Sequence, residues 1–136
     1  MLNPSDVPDV DPHELLSRFV LTQRHINRQS GTLKADAFVP HPHDSLSVTR
    51  HLQATESEIW GIGARVASER GKTLYGRGDV MAASYAAQKL RCLKDPVPGN
   101  PNHVNVCGWP LNDKAAQKLI AMEIAAVAMF VARRAG

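Results

Sequence analysis

The spacing of apolar side chains predicts one helix near the middle of the chain. Residues 55–58, Thr-Glu-Ser-Glu, have the spacing of a capping box, in which the threonine hydroxyl and the glutamate each bind a free backbone amide. Apolar side chains then recur with a helical period from Ile59 to Val66, and Gly71 follows. The pattern predicts a helix over residues 56–70.

Two further helices are predicted towards the C-terminus. Asp79 precedes the segment VMAASYAAQKL, and its carboxylate is expected to cap a helix there. Asn112 or Asp113 is expected to cap a last helix, in which apolar side chains recur every three or four residues from Leu119 onwards. Because residues 119–132 are nearly all apolar, this pattern predicts a long, buried, apolar C-terminal helix.

Shorter segments with alternating polarity predict strands. The segments TLKADAFVP and SLSVTRHL flank a turn rich in proline and aspartate, which predicts a β-hairpin. RCLKD and HVNVC are further strand candidates, separated by prolines and a glycine. LLSRFVLTQRHI, residues 15–26, has mixed spacing that fits a helix or a strand, and we expect a short helix there.

These elements predict an α+β fold, with a small sheet that includes a β-hairpin packed against about three to four helices. A chain of 136 residues, 43% of them hydrophobic, is sufficient for one core. The first fourteen residues differ in composition, because they hold three prolines and four acidic side chains but no lysine or arginine. We therefore expect an acidic, proline-rich arm (residues 1–14) followed by a single domain (residues 15–136).

The formal net charge of +3 is unevenly distributed. Outside the arm the chain carries 16 lysines and arginines against nine acidic residues, a formal charge of +7. A basic body favours a phosphate-bearing or acidic partner, and an acidic arm that folds back is able to compete for it. The alternative is ordinary solubilising charge, because no run of adjacent lysines and arginines marks a nucleic-acid-binding tail.

Several classes of protein are disfavoured by the sequence. The acidic N-terminus is the opposite of a signal peptide and two cysteines are too few for a disulfide framework, so a cytoplasmic location is predicted. The apolar run 119–132 is shorter than the roughly 20 residues that cross a membrane, and we expect no membrane partner. His41-Pro42-His43-Asp44 is interpreted as a solvated turn, and neither a metal nor a cofactor is predicted.

The candidate chemistry lies in polar side chains at the ends of the predicted elements. Arg50 closes a strand, Arg77 enters a helix, and His103 and Asn105 share one face of another strand. Arginine binds phosphate or carboxylate, histidine transfers protons near neutral pH and asparagine donates to an oxyanion. If these side chains converge, they suit an anionic ligand; otherwise the arginines pair with surface acids and His103 with a loop carbonyl.

The order of several short blocks resembles a widespread family of small uncharacterised bacterial proteins. The blocks are S-V-x-R at residues 47–50, G-R-x-D at 76–79 and H-x-N-[IV]-x-G-W-P at 103–110. The resemblance covers about residues 17–125, and it implies a place among mobile or anti-phage gene islands without implying an activity. It also implies that six residues belong together: Arg50, Arg77, Asp79, His103, Asn105 and Trp109. Trp109 is in addition expected to fill the core beside the last helix.

Two functions remain open at the level of the sequence. The first is a binding module that contacts a protein or nucleic-acid partner through its basic body, because no Walker loop, G-x-G-x-x-G, G-x-S-x-G or H-E-x-x-H motif is present. Self-association through the C-terminal helix belongs to the same class. The second is a small phosphodiesterase or transferase, in which Arg50 and Arg77 hold an anionic substrate and His103 is the general acid or base. The second function requires these three side chains to line one cleft.

Overall fold

The computed structural model describes residues 2–134, and the predicted α+β class is confirmed. This part of the chain contains three α-helices and eight strands, two of which form a separate hairpin. The strands are β1 (Leu15–Val20), β2 (Ile26–Asn27), β3 (Thr32–Leu33), β4 (Leu46–Arg50), β5 (Gly76–Met81), β6 (Arg91–Lys94), β7 (His103–Cys107) and β8 (Met129–Ala132). The helices are α1 (Glu56–Glu69), α2 (Ala82–Ala87) and α3 (Lys114–Val127).

Six strands form one antiparallel sheet in the order β6-β7-β4-β1-β5-β8, and β2 pairs with β3 apart from it. Strand β1 is central, and its side chains are buried on both faces: Leu16 on one, Ser17 on the other. The prediction of a short helix over residues 15–26 is therefore wrong. The mixed apolar spacing arose because a central strand buries both faces instead of alternating between core and solvent.

One face of the sheet, the apolar face, carries the core. It is covered by α3, α2 and the 3₁₀ helix Ala35–Phe38. The backbone of Gly78 lies directly beneath this layer, because a Cβ atom there would stand 2.5 Å from the Leu33 side chain. The buried apolar side chains include Leu16, Val20, Phe38, Leu46, Val48, Val80, Tyr85, Val104, Val106, Trp109, Ala121 and Ile124.

The opposite face, the polar face, is only partly covered by α1. Paired residues across β7, β4, β1 and β5 place polar side chains in one row: His103, Thr49, Ser17 and Asp79. The predicted helix at 56–70 is confirmed as α1 with its capping box, in which Thr55 Oγ1 accepts from the Glu58 amide at 3.1 Å. On this face Ser17, Thr49 and Asp79 are buried, whereas Ser47 is exposed and His103 is half-buried.

Two predictions about the middle of the chain are wrong. The expected hairpin does not form, because Ala37 and Phe38 are drawn into the core as a 3₁₀ helix and β4 pairs with β1 and β7. Asp79 is not a helix cap, since it lies within β5 and Met81 precedes α2. The predicted strands RCLKD and HVNVC are confirmed as the adjacent pair β6 and β7.

The last helix begins as predicted, with Asp113 Oδ1 accepting from the Ala116 amide at 3.0 Å. It contains 14 residues and ends at Val127, so a long apolar helix to the C-terminus is not observed. Residues 129–132 instead pair with β5 as an edge strand, because the exposed edge of β5 offers backbone hydrogen bonds that a longer helix would leave unused. None of the described helices has both the length and the apolar character that a membrane span requires.

The N-terminal segment is folded back onto the domain. Leu2 and Val7 are buried, and Arg50 binds the segment at three places. Its guanidinium donates to the Pro8 carbonyl at 2.7 Å and to the Asp9 carbonyl at 3.1 Å, and its Nε donates to Glu14 at 2.7 Å.

Candidate functional site

Arg77 and Asp79 belong to a polar network beneath α1. Arg77 makes two 2.9 Å hydrogen bonds to the carboxylate of Glu56, a 3.1 Å bond to Asp79, and lies 4.7 Å from the centre of the Trp60 ring. Burial disfavours its charge, but the hydrogen bonds to Glu56 and Asp79 outweigh burial and raise the pKa of Arg77. The positive charge of Arg77 is therefore paired with the carboxylates of Glu56 and Asp79.

Ser17, His51 and Asp79 are hydrogen-bonded, but in an order unlike that of a catalytic triad. The Ser17 hydroxyl lies 2.5 Å from Asp79 Oδ1 and 2.6 Å from His51 Nε2. The serine thus stands between the histidine and the carboxylate, whereas in a triad the histidine stands between the other two. Burial lowers the pKa of His51, with the charge of Arg77 acting in the same direction and Asp79 opposing. Since Ser17 is fully buried, this cluster fixes the sheet and presents no accessible nucleophile.

Arg50 does not join the other predicted site residues. It pairs across the sheet with Leu16 and so lies on the apolar face, where it is fully buried and holds the N-terminal segment. Asp79 and His103 lie on the polar face. The predicted convergence of Arg50, Arg77 and His103 in one cleft is therefore not found, because strand alternation sends Arg50 to the other side.

His103 and Asn105 are brought together by a residue that sequence reasoning missed, Asp95. The His103 ring Nδ1 lies 3.0 Å from the Asp95 carbonyl oxygen, and the Asn105 amide donates to the Asp95 carboxylate at 2.8 Å. Trp109 lies elsewhere, in the core, where its indole N–H donates to the Val106 carbonyl at 2.9 Å. Of the six residues named from the sequence, only His103 lines a cavity described below.

A cleft of about 410 Å³ opens on the polar face between β1 and β4. These strands are joined through only two residue pairs, Leu16 with Arg50 and Ser17 with Thr49, and separate beyond them. The C-terminal half of α1 and the segment after β1 form the other walls. We call it the β1–β4 cleft; its basic side chains are Arg18, Arg24, His25, Arg70, Lys72 and His103, and no acidic side chain of residues 2–134 lines it.

Arg18 lies where the two strands separate; its register partner Gly78 places it on the same side of β1 as Leu16, and it lines the cleft through the gap between the strands. It is half-buried, with Nε donating to the Ala37 carbonyl and Nη1 to the Ser47 carbonyl, both at 3.1 Å. Burial lowers its pKa to about 10; Tyr85 opposes this effect and Arg70 adds to it. The guanidinium is therefore charged at neutral pH, and no ion pair to a carboxylate of residues 2–134 neutralises it.

The other basic side chains of the cleft differ in their partners, since His103 Nδ1 lies 3.2 Å from Asp95 Oδ2. Arg24, Arg70 and Lys72 form no ion pair with any acid in the described part of the chain. Burial lowers the pKa of His25, and the positive charge of Arg18 acts in the same direction. The uncharged polar groups come from the sheet and an adjacent loop: Ser47, Thr49 and Asn100. The cleft can bind an anion and offers hydrogen bonds to the remainder of a ligand.

No three histidine, cysteine, aspartate or glutamate side chains within residues 2–134 stand close enough to hold a metal ion. No family model matches the chain, and no curated protein or solved structure is significantly similar to it. The family resemblance of the short sequence blocks therefore has no counterpart among these comparisons.

Proposed function

We propose that the protein is a binding module that holds a phosphate-bearing ligand in the β1–β4 cleft. The observation that carries the proposal is the charge of Arg18, which lines the gap between β1 and β4 with no carboxylate partner among residues 2–134 and adds to the cations of the cleft. Removing a charge from water without an opposite charge is costly. An anion in the cleft would offset that cost, and arginine binds phosphate oxygens with directed, charge-assisted hydrogen bonds.

The size and the lining of the cleft support a ligand larger than a free ion. Its volume of about 410 Å³ is in the range of small-molecule sites, which hold roughly 300 to 1,000 Å³. Phe19 offers an aromatic surface, and Ser47, Thr49 and Asn100 offer hydrogen bonds. A nucleotide combines the phosphate, polar and planar parts that this lining suits.

The enzymatic alternative is less well supported. A phosphodiesterase or transferase built on Arg50, Arg77 and His103 needs all three at one ligand, and Arg50 lies on the opposite face of the sheet. The hydroxyl of Ser17 is buried and directed to a carboxylate. Binding therefore accounts for the cleft with fewer requirements than a reaction does.

Calorimetric titration with adenosine monophosphate tests the proposal. The R70Q/K72Q variant should bind at least tenfold more weakly, because each lost charge-assisted hydrogen bond removes about 1.5 to 3 kcal/mol. The matched control is R91Q/K114Q, which also removes two exposed cations but lies outside the cleft. Adenosine without phosphate should bind far more weakly than the nucleotide. Equal losses in both variants, or no binding by the wild-type protein, would contradict the proposal.

A further inference from the structure

Three loops meet at the end of the sheet beside the cleft. Val20, Gly76 and Ala132 are register partners across β1, β5 and β8. The residues just beyond them in space are therefore 21–25 after β1, 72–75 before β5, and Arg133 and Arg134 after β8. The chain thus gathers basic residues that are far apart in sequence.

Two more grooves continue from the cleft at this end of the sheet. One, of about 980 Å³, runs between α1 and β8 and shares Lys72 with the cleft. The other, of about 490 Å³, lies under the β2–β3 hairpin and shares Arg24. In the described part of the chain, no aspartate or glutamate lines any of the three. We call the basic side chains of the three grooves the cationic band; outside the cleft it consists of Arg28, Lys34, Arg133 and Arg134.

No carboxylate of residues 2–134 forms an ion pair with the arginines and lysines of the cationic band. Within residues 2–134, no ion pair is formed by any of six cations: Arg24, Arg28, Lys34, Lys72, Arg133 and Arg134. Arg28 has only a 2.6 Å hydrogen bond to the uncharged side chain of Gln23. Like charges at one end of a small domain repel one another, and a partner with several regularly spaced negative charges relieves this repulsion.

Two of the three grooves also contain an aromatic side chain. Phe19 lines the cleft, and Trp60 lines the groove between α1 and β8. The Arg77 guanidinium, 4.7 Å from the centre of the Trp60 ring, holds that ring in place. Bases stack on such rings only when they are unpaired, whereas a duplex exposes phosphates and base edges. Acidic peptides supply charge but no planar groups.

From this arrangement we infer that the partner is a single strand of nucleic acid, which follows the cationic band with one nucleotide in the β1–β4 cleft. The inference rests on the function proposed for the cleft and extends it to a strand of several nucleotides. The cleft binds one phosphate, and the two outer grooves bind its neighbours along the strand.

The test measures fluorescence anisotropy of a labelled 12-nucleotide oligothymidylate over a range of salt concentrations. The wild-type protein should bind it at least tenfold more tightly than adenosine monophosphate. The logarithm of affinity should fall with the logarithm of salt concentration, with a slope of about −0.7 for each phosphate contact. R28Q/R133Q/R134Q, which changes only the outer grooves, should bind the oligonucleotide at least tenfold more weakly with a shallower slope.

Measurements with the mononucleotide separate this inference from the proposed function. R28Q/R133Q/R134Q should bind adenosine monophosphate as the wild-type protein does, and R91Q/K114Q should bind both ligands normally. If the mononucleotide binds but the oligonucleotide binds no more tightly, the inference is overturned and the cleft proposal stands. Equal affinity for duplex DNA or for polyglutamate would overturn the assignment to a single strand. If neither nucleotide ligand binds, both proposals are wrong.

Discussion

Arg50 is a buried cation whose role is to hold the N-terminal segment. Its side chain is fully buried and meets Glu14 together with the carbonyls of Pro8 and Asp9. The sequence predicts that Arg50 closes a strand, and this prediction is confirmed because β4 ends at Arg50. It gave no indication of the face to which Arg50 points, because that depends on the register with Leu16 in β1, a segment for which a helix was expected.

Replacing Arg50 should destabilise the fold without affecting the cleft directly. In R50M the Glu14 carboxylate, which is only 12% exposed, loses its positively charged partner and keeps the hydrogen bond from the Asp11 amide. Removing one member of a buried ion pair costs about 3 to 5 kcal/mol. Urea unfolding should show this loss, and E14Q, which leaves the fully buried charge of Arg50 without a carboxylate, should show a loss of similar size. A change in R50M of under about 1 kcal/mol, the range of surface ion pairs, would contradict a holding role.

The His51 cluster should make stability depend on pH. Burial lowers the pKa of His51 in the folded state, so the unfolded chain binds its proton first as the pH falls through the ordinary value of about 6.5. Folding free energy that is fully present above that pH is lost progressively below it. Thermal unfolding between pH 7.5 and 5 should therefore show a falling melting temperature.

The H51Q variant supplies the control for this pH dependence, because its amide can still donate to Ser17 and does not titrate. Its melting temperature should fall less over the same range. Part of the slope should remain, since burial also lowers the pKa of His25. An identical slope in both proteins would show that His51 is not the group responsible.

At the level of elements, the approach of α1 to β1 sets the depth of the cleft. Gly63 is buried, and a Cβ atom there would stand 2.6 Å from Phe19 Cε1. The helix and its cap were predictable because capping and periodicity are local. The strand β1, the separation of β1 from β4 and the edge strand β8 were not, because pairing partners distant in sequence decide them.

Two glycines of α1 allow a matched test of this packing. G63A should destabilise the protein by about 1 to 3 kcal/mol, the usual cost of overpacking. G61A should stabilise it by about 0.5 to 1 kcal/mol, because alanine favours helix and a Cβ atom at Gly61 meets nothing within 4 Å. Urea unfolding of both variants measures the difference between their free energies of unfolding. Stabilisation by both substitutions would mean that α1 stands further from Phe19.

For the whole molecule, the excess of basic residues in the sequence agrees with the basic lining of the cleft, although the cleft itself was not predictable. Arg18, Arg24, Arg70 and Lys72 come from separate segments, and no short motif connects them. Only the sheet order brings them together. The candidate site residues named from the sequence lay in short sequence motifs. Most of them make hydrogen bonds within the protein and do not line the cavity.

Self-association through the last helix stays a prediction. Apolar side chains of α3 and the start of β8 are exposed, namely Leu119, Met122, Val127 and Met129. Sedimentation velocity should show a dimer that L119K/M122K converts to a monomer. A wild-type protein that remains monomeric at high concentration would contradict the prediction.

The central claim, that the β1–β4 cleft binds a phosphate-bearing ligand, is tested most directly by nuclear magnetic resonance. Amide signals of the ¹⁵N-labelled protein are followed during titration with adenosine monophosphate. The account predicts saturable shifts concentrated at Ser47, Thr49, Asn100 and His103, with little change in R70Q/K72Q. Shifts that are absent, or that spread evenly over exposed lysines and arginines such as Arg91, would contradict it.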